Sequence, residues 1–416
     1  MRALALLAAL VWAASLSAQT TPTITPRGGD ATLDVAAWNV EFFGTTSPTD
    51  QNDTSPNDAF QFVHVEAAVT QSEIDVWGFQ EVSDGDDFQR LIEAVEDDGY
   101  AGVIGPNVST PNRPFDQKLA FVYNASLLSD VSASTLFEGQ SGASFEFAGR
   151  LPLELKATVT VDGQAREVRF ITIHAKASRD PDSYERREDG AARLKAYTDG
   201  LLAQGVRVVV LGDFNDRLVG STRGSSFDSP YRPFVDDPAY GAATLSTEEA
   251  GLATFCGSDD TCSGSSTIDH ILYSSATLGF VPDAQNAQRQ RYGELLTELP
   301  QYTATTSDHL PVLANLVLTG PVADDAGPEA GPVALLPAAP SPFRTSTRLR
   351  FRLDAPADVV LDVFDVLGRR VASAAGPYGL GEHAVALDGA GLAPGPYLVR
   401  LQAAGQTRSR LITRLD

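Results

Sequence analysis

The chain has 416 residues, 43% of them apolar, and a formal net charge of −23. That length excludes one small domain and leaves room for a substantial core plus a second unit. The acidity repels polyanions at long range and excludes a broad basic face, although salt screens it beyond about 10 Å at 0.1 M.

Positions 1–18 read as a secretory signal: Arg2 gives the positive start, Leu4 to Leu16 the apolar run, and Leu16-Ser17-Ala18 a small-residue cleavage site. The run is short for a membrane span, and a retained anchor is the weaker alternative. No later run approaches ~20 apolar residues, so no transmembrane segment is expected. Residues 19–31, polar with Pro and Gly, read as a loose leader.

From Thr32 to about Leu318 strands and helices alternate. Leu33 to Phe43 is strand-like, and Asp58 to Ile74 is helical with Asn57 as its cap. Val76 to Val82 is a buried strand. Asp86 to Asp97 is an amphipathic helix with Phe88, Leu91, Ile92 and Val95 on one side. Leu119 to Tyr123, Leu153 to Val161 and Val168 to His174 are β-rich, with Asp162-Gly163 as a hairpin turn signal. Glu188 to Ala203 is a helix and Val206 to Leu211 an apolar strand. Asp216 to Ser266 reads as long loops around a site. Ile268 to Tyr273 and Val312 to Leu318 complete the set. Hairpins beside crossover helices predict an α/β domain with mixed sheets over residues 32–319.

Residues 320–333 form a Pro/Gly/Ala/acid linker. Residues 334–416 predict a small all-β sandwich of four to seven short strands, from the alternation in Leu349 to Leu353 and Val359 to Phe364 and the turns at Gly368, Gly376 and Gly395. Charge is uneven: residues 333–416 are net +3 and the rest net −26, most simply a device for solubility in salty surroundings. The only two cysteines, Cys256 and Cys262, are expected to close a small disulfide loop, as export allows. A zinc site is the weaker reading, since no His or second Cys pair is near.

Five short words sit near strand ends: Ala36-Ala37-Trp38-Asn39, Phe79-Gln80-Glu81, Ile173-His174, Gly212-Asp213-Phe214-Asn215-Asp216 and Ser307-Asp308-His309. Together they supply amides, carboxylates and imidazoles. That is the set needed to hold a hard divalent cation, aim a water and grip a phosphate. Singly, each could be only a solvated loop start, and Asp213 with Asn215 only an Asx turn.

Jointly these words resemble the endonuclease/exonuclease/phosphatase family over residues 32–318, in particular its secreted bacterial deoxyribonuclease-like members. The resemblance implies a four-layer α/β sandwich, two mixed sheets face to face with helices outside. It implies Asn39, Glu81 and Asp308 as metal-binding residues, with Mg²⁺ or Mn²⁺ as the ion. Asp213 would orient or activate the water, and Asn215 would hold the phosphate. His309 would be the catalytic imidazole, Asp269 its orienting carboxylate, and His174 a second phosphate contact. Arg150 resembles an Arg-x-Pro feature that reaches the phosphate, and Lys176 in His-Ala-Lys resembles bacterial extracellular nucleases. Pancreatic-type enzymes place a Glu where this chain has Asp116-Gln117-Lys118, so His174 is expected to lack a carboxylate partner. His270 and His64 are read as structural.

Residues 334–416 resemble the type A sorting domain of the type IX secretion pathway through Pro340-Ser341-Pro342-Phe343, Val363 to Arg370 and Leu392 to Tyr397, although the opening is Ser-Pro rather than Asn-Pro. This implies export through the periplasm to a secreted or cell-surface location, with the type IX machinery as partner. The expected activity is that of a monomeric, metal-dependent nuclease with nucleic acid, DNA or RNA, as substrate. Rival readings are a phosphatase or phosphodiesterase acting on phospholipid head groups or small phosphorylated molecules, and a catalytically inactive surface adhesin. Structural Ca²⁺ is a further expectation for Thr49 to Asp58 and the 256–262 loop.

Overall fold

The structure, a computed structural model, describes residues 21–29, 32–44, 58–106, 117–161, 163–264, 266–275, 277–280, 290–318, 332–341, 343–365, 369–393 and 395–415. The signal segment, Asn57, Asp116, Asp162, nearly all of Thr49 to Asp58, nearly all of the linker, Pro342, Gly368 and Pro394 lie outside the described residues.

Among the described residues twelve strands build the first unit: β1 (Leu33–Phe43), β2 (Val76–Val82), β3 (Tyr100–Ile104), β4 (Lys118–Asn124), β5 (Leu128–Thr135), β6 (Leu153–Val161), β7 (Gln164–His174), β8 (Arg207–Asp213), β9 (Tyr240–Ala242), β10 (Asp269–Ser274), β11 (Leu278–Phe280) and β12 (Val312–Leu318). They form two six-stranded sheets, ordered β11-β12-β1-β2-β4-β3 and β5-β6-β7-β8-β10-β9. Each sheet is mixed: β1 runs parallel to β2, β7 runs parallel to β8, and the other pairs are antiparallel.

Side chains alternate across a strand, so a strand covered on both faces is apolar at every position. Val35, Ala37, Val76 and Phe121 of the first sheet meet Leu155, Phe170, Val209 and Leu211 of the second in one buried layer. The opposite faces are covered by helices. Trp38, Trp77 and Phe79 pack under α1 (Asp58–Gln71) and α2 (Gly85–Val95). Ile171, Ile173 and Val208 pack beneath α4 (Pro181–Leu202), with the single turn α3 (Ala143–Glu146) beside it. The result is the expected four-layer sandwich. Trp38 and Trp77 are fully buried, with ring centroids 5.8 Å apart.

Local chemistry sets the helix ends. Asp84 caps α2, its carboxylate accepting from the Asp86 and Asp87 N–H groups at 2.7 and 3.0 Å. Asp180 caps α4 by accepting from Ser183 N–H at 3.0 Å, and Pro181 follows in the first turn. This helix therefore begins well before Glu188. Its first turns are polar, and their buried members find partners only in the folded chain.

Three expectations need correction. Residues 21–29 are not loose: Ile24 is buried, its N–H donates to Gln71 at 3.0 Å, and Arg27 donates from its backbone to the Ser72 carbonyl at 2.7 Å. Composition cannot show that a neighbouring helix end offers these partners. The edge strands β3 and β5 were not expected; β5 is mostly exposed and carries little apolar alternation. The 216–266 stretch is not all loop, since it contains β9, which pairs with β10 beyond it.

Among its described residues the second unit has seven strands: β13 (Val333–Ala339), β14 (Ser346–Leu353), β15 (Ala357–Phe364), β16 (Arg370–Tyr378), β17 (Gly381–Asp388), β18 (Gly395–Ala403) and β19 (Gln406–Arg414). Two antiparallel sheets, β13-β14-β17 and β16-β15-β18-β19, enclose Phe351, Leu361, Val399 and Leu401. Among the described residues no helix is long and apolar enough to cross a membrane.

One glycine governs how β7 and β8 meet. Gly212 has φ of 140°, and a Cβ there would lie 2.1 Å from the Ile173 carbonyl oxygen. Gly212→Ala is expected to cost roughly 2 kcal/mol or more through strain and clash. Urea unfolding checks this; an unchanged midpoint would refute it.

Candidate active site

The inner layer of the sandwich turns polar at one end. On β1 the buried alternation Leu33, Val35, Ala37 continues to Asn39; on β8, Val209 and Leu211 continue to Asp213. Strand register does the rest. His174 pairs with Asp213 across β7 and β8, and Asp269 pairs with Asp213 across β8 and β10. Paired residues on neighbouring strands point the same way about 5 Å apart, so two carboxylates and an imidazole share one face.

The first sheet faces them with a distortion. β1 and β2 pair regularly to Asn39 and Gln80, then slip before Phe43 and Val82. Glu41, Phe42 and Glu81 adopt left-handed φ of 39°, 53° and 60°. The bulge brings the Glu41 and Glu81 carboxylates to the same cleft. The Ser307-Asp308-His309 loop closes the site. Ser307 Oγ donates to the Asn39 carbonyl at 2.6 Å and accepts from His309 N–H at 2.9 Å. The His309 carbonyl accepts from Trp38 Nε1 at 3.2 Å and the Tyr302 hydroxyl at 2.6 Å.

These side chains line a cleft of about 360 Å³ that includes Glu41, Glu81, His174, Asp213, Asn215, Asp308 and His309. His309 Nδ1 lies 2.9 Å from Asp269. Its Nε2 lies 3.9 Å from Asp213 and 3.8 Å from Asp308. Burial pulls the imidazole down, but Asp269, Asp308 and Asp213 outweigh it and hold it well above its ordinary range. His174 Nε2 lies 3.4 Å from Asp213 and 3.6 Å from Glu81. Burial, then the charges of Arg150 and His309, push His174 well down, so it is neutral. Among the described residues its Nδ1 is buried without a hydrogen-bond partner.

The carboxylates are crowded. Burial first, with Asp308 adding, pushes Glu41 up to about 9 and raises Glu81. Asp213 is pushed up to about 7 by burial, with Asp269 adding, against His309 and its hydrogen bonds. Asp308 is raised by burial as well. Such a set of hard oxygens suits a divalent cation, which would relieve their repulsion. Asp213, Asp269 and His309 also lie within 4.8 Å of one another and could hold an ion. The close Asp269–His309 hydrogen bond favours an orienting pair there.

Each expected residue has a definite place. Asn39 turns its amide nitrogen to Glu81 and Asp213, at 3.2 Å each, while its oxygen accepts from Glu41 N–H at 3.1 Å. It steadies the carboxylates. Asn215, left-handed at φ 51°, closes an Asx turn on Asp213 at 2.8 Å, and its amide donates to Asp213 and the Ala175 carbonyl at 3.0 and 3.2 Å. The Arg150 guanidinium donates to the His174 and Ala175 carbonyls at 3.2 and 3.0 Å, and to Gln117. It braces the end of β7, and its charge acts on Glu81 and Asp213. His270 sits between Thr244 Oγ1 and the Asp216 carbonyl at 3.0 and 3.1 Å, and His64 lies 2.7 Å from Thr306 Oγ1. Both are structural in this sense.

Glu41 was missed. Its signal was available: it lies two positions after Asn39, on the same face of an extended strand. Phe255 was missed too; its ring lies 5.0 Å from that of His309 and lines the cleft. The expected disulfide, Cys256–Cys262, closes the next loop, whose Cys256 N–H donates to the Asp308 carbonyl at 2.7 Å. In that loop Asp259 accepts from Thr261 and Ser263, which closes the turn.

A family model described as the Endonuclease/Exonuclease/phosphatase family matches residues 36–309. Similar solved structures include an endonuclease/exonuclease/phosphatase from Beutenbergia cavernae, 18% identical with TM-score 0.49, covering 92% of this chain and 100% of that one. The human Nocturnin catalytic domain with bound sulfate is 16% identical with TM-score 0.45, covering 71% and 100%. A mannosyl-6-phosphatase from Bacteroides thetaiotaomicron is 17% identical with TM-score 0.45, covering 69% and 100%. No curated protein matches the sequence.

Asp269→Asn removes the largest charge that keeps His309 protonated, so the imidazole titrates at lower pH. If protonated His309 serves turnover, the falling alkaline limb of the pH–rate profile moves to lower pH, and the rate drops about 10²–10⁴-fold. An unmoved limb would refute this.

Proposed function

Because the chain belongs to the endonuclease/exonuclease/phosphatase family, a family of phosphoester hydrolases, we propose that it is a secreted, metal-dependent phosphodiesterase, a nuclease that cuts DNA or RNA without sequence preference. One observation carries the reading. An imidazole held by Asp269 at 2.9 Å faces a buried carboxylate, Asp213, across a cleft whose other wall is carboxylate.

In this reading Asp213 aims the attacking water and takes its proton. His309 meets the phosphoryl or departing oxygen as a cation, and Asp269 fixes the His309 tautomer. Neutral His174 contacts the phosphate without adding charge. Asn215 holds Asp213 and the backbone beside the phosphate. Glu41, Glu81 and Asp308 would hold Mg²⁺ or Mn²⁺, with Asn39 steadying Glu81. The ion supplies charge neutralisation at the phosphate and a more acidic water.

The N-terminal segment supports export. The residues shared with type A sorting domains support passage through the type IX machinery to a secreted or cell-surface location. Monomeric action and structural Ca²⁺ belong to the same proposal.

Plasmid DNA with Mg²⁺ is expected to be nicked and then degraded, and chelation is expected to stop this. Asp213→Ala and His309→Ala are each expected to lose about 10²–10⁴-fold in rate with far-ultraviolet circular dichroism unchanged. Intact plasmid, or an Asp213→Ala variant as fast as the wild type, would end the reading.

A further inference from the structure

The body of the first unit is strongly acidic, yet one lip of the cleft is cationic. Lys176, Arg179 and Arg186 stand on the β7–α4 connection and the first turns of α4, with Arg223 on the loop beyond Asn215. Arg179 and Thr222 both line the cleft. Among the described residues Lys176, Arg179 and Arg223 have no carboxylate within ion-pair distance. Lys176 Nζ donates to the Ala177 carbonyl at 2.9 Å. Arg223 lies over the Phe227 and Tyr184 rings at 3.9 and 5.0 Å. The nearby acids are engaged: Asp180 caps α4, and Asp182 lies 3.8 Å from Arg186. Arg179 is exposed and Lys176 half-buried. Burial, then Arg186 and Arg150, pull the Lys176 ammonium down, which reflects this concentration of positive charge.

A fully buried ion pair makes the lip rigid. Arg187 Nη2 lies 2.9 Å from Asp216 Oδ2, both side chains being inaccessible. Arg187 Nη1 donates to the Lys176 and Ser178 carbonyls at 2.7 Å each. Asp216 accepts from Thr222 N–H at 2.6 Å and Ser221 Oγ at 3.0 Å. The pair thus clamps 176–178 to 221–222 within this lip. Breaking a buried pair is far costlier than keeping it, so the two loops do not part.

We infer that the lip formed by Arg179, Lys176 and Arg223 is a second phosphate site, which takes a flanking phosphate of a polyphosphodiester strand while the scissile phosphate lies against His309 and Asp213. This rests on the phosphodiesterase reading and deepens it: the favoured substrate is a chain of phosphodiesters, and a lone phosphoester leaves the lip unfilled. The acidic body supplies long-range repulsion that physiological salt screens within about 8 Å, so contact-range cations decide the binding.

The test uses the full chain, with Arg179→Glu and the conservative Arg179→Lys. Turnover is compared on bis(p-nitrophenyl) phosphate, which has one phosphate, and on a 20-base-pair oligonucleotide. Arg179→Glu is expected to lose at least tenfold more on the oligonucleotide than on the small diester, through KM, and Arg179→Lys to recover most of it. Separately, anisotropy of the labelled oligonucleotide on the His309→Ala chain is followed against salt. Adding Arg179→Glu is expected to weaken binding and lower the magnitude of the log–log salt slope by about one. Equal losses on both substrates, or an unchanged slope, would overturn the lip. A wild type that binds the oligonucleotide through Arg179 but never cuts it would leave the lip standing and end the nuclease reading.

Discussion

Five carboxylates converge on one end of the sandwich, and the rest of the site answers their repulsion. Glu41, Glu81, Asp213, Asp269 and Asp308 are drawn from both sheets and the 307–309 loop. Two like charges about 4 Å apart repel by roughly 4 kcal/mol at the effective dielectric of a protein surface. Burial is the larger cause and this repulsion adds to it, which is why Glu41 and Asp213 sit so far above the ordinary carboxylate range. The arrangement calls for cations. His309 supplies one by direct contact with Asp269, and Arg150 supplies another at the foot of β7. A divalent ion among Glu41, Glu81 and Asp308 would meet the same demand.

The scaffold also tolerates local strain there. Glu41, Phe42, Glu81 and Asn215 hold left-handed backbones that ordinary side chains avoid, each at a cost of about 1–3 kcal/mol. The two sheets, pinned by the buried layer between them, over-determine these positions. Glu81 shows the consequence. Strand parity would turn it toward the helices; its left-handed φ returns it to the cleft. The donors around it serve the same end. Gln80 beneath the site donates to Thr172 Oγ1 at 2.8 Å and ties one sheet to the other.

Charge is arranged at two scales. The first unit is acidic overall and the second carries a small positive excess. At contact range the order reverses: cations gather on one lip of the cleft, clamped by Arg187 and Asp216. A bulk charge count averages over these scales, so net charge described the surface at large and was silent about the cleft mouth.

Much of the architecture was legible in the chain itself. Apolar runs with hairpin and crossover signals determined mixed sheets and an all-β tail, because burial on both faces leaves an unmistakable residue pattern. The five words marked Asn39, Glu81, His174, Asp213 and His309 because polar residues interrupting such runs are conspicuous, whereas Asp269 came only with the family resemblance. Tertiary structure alone decided what these residues touch. Arg150 was marked by its motif, but that its guanidinium reaches the His174 and Ala175 carbonyls follows from packing. Glu81 reached the cleft through a bulge created by the slip between two strands. Residues 21–29 were ordered by α1 and Tyr292. Each of these depends on partners distant in sequence, and side-chain contacts at that range are fixed by register and packing, which one-dimensional periodicity does not encode.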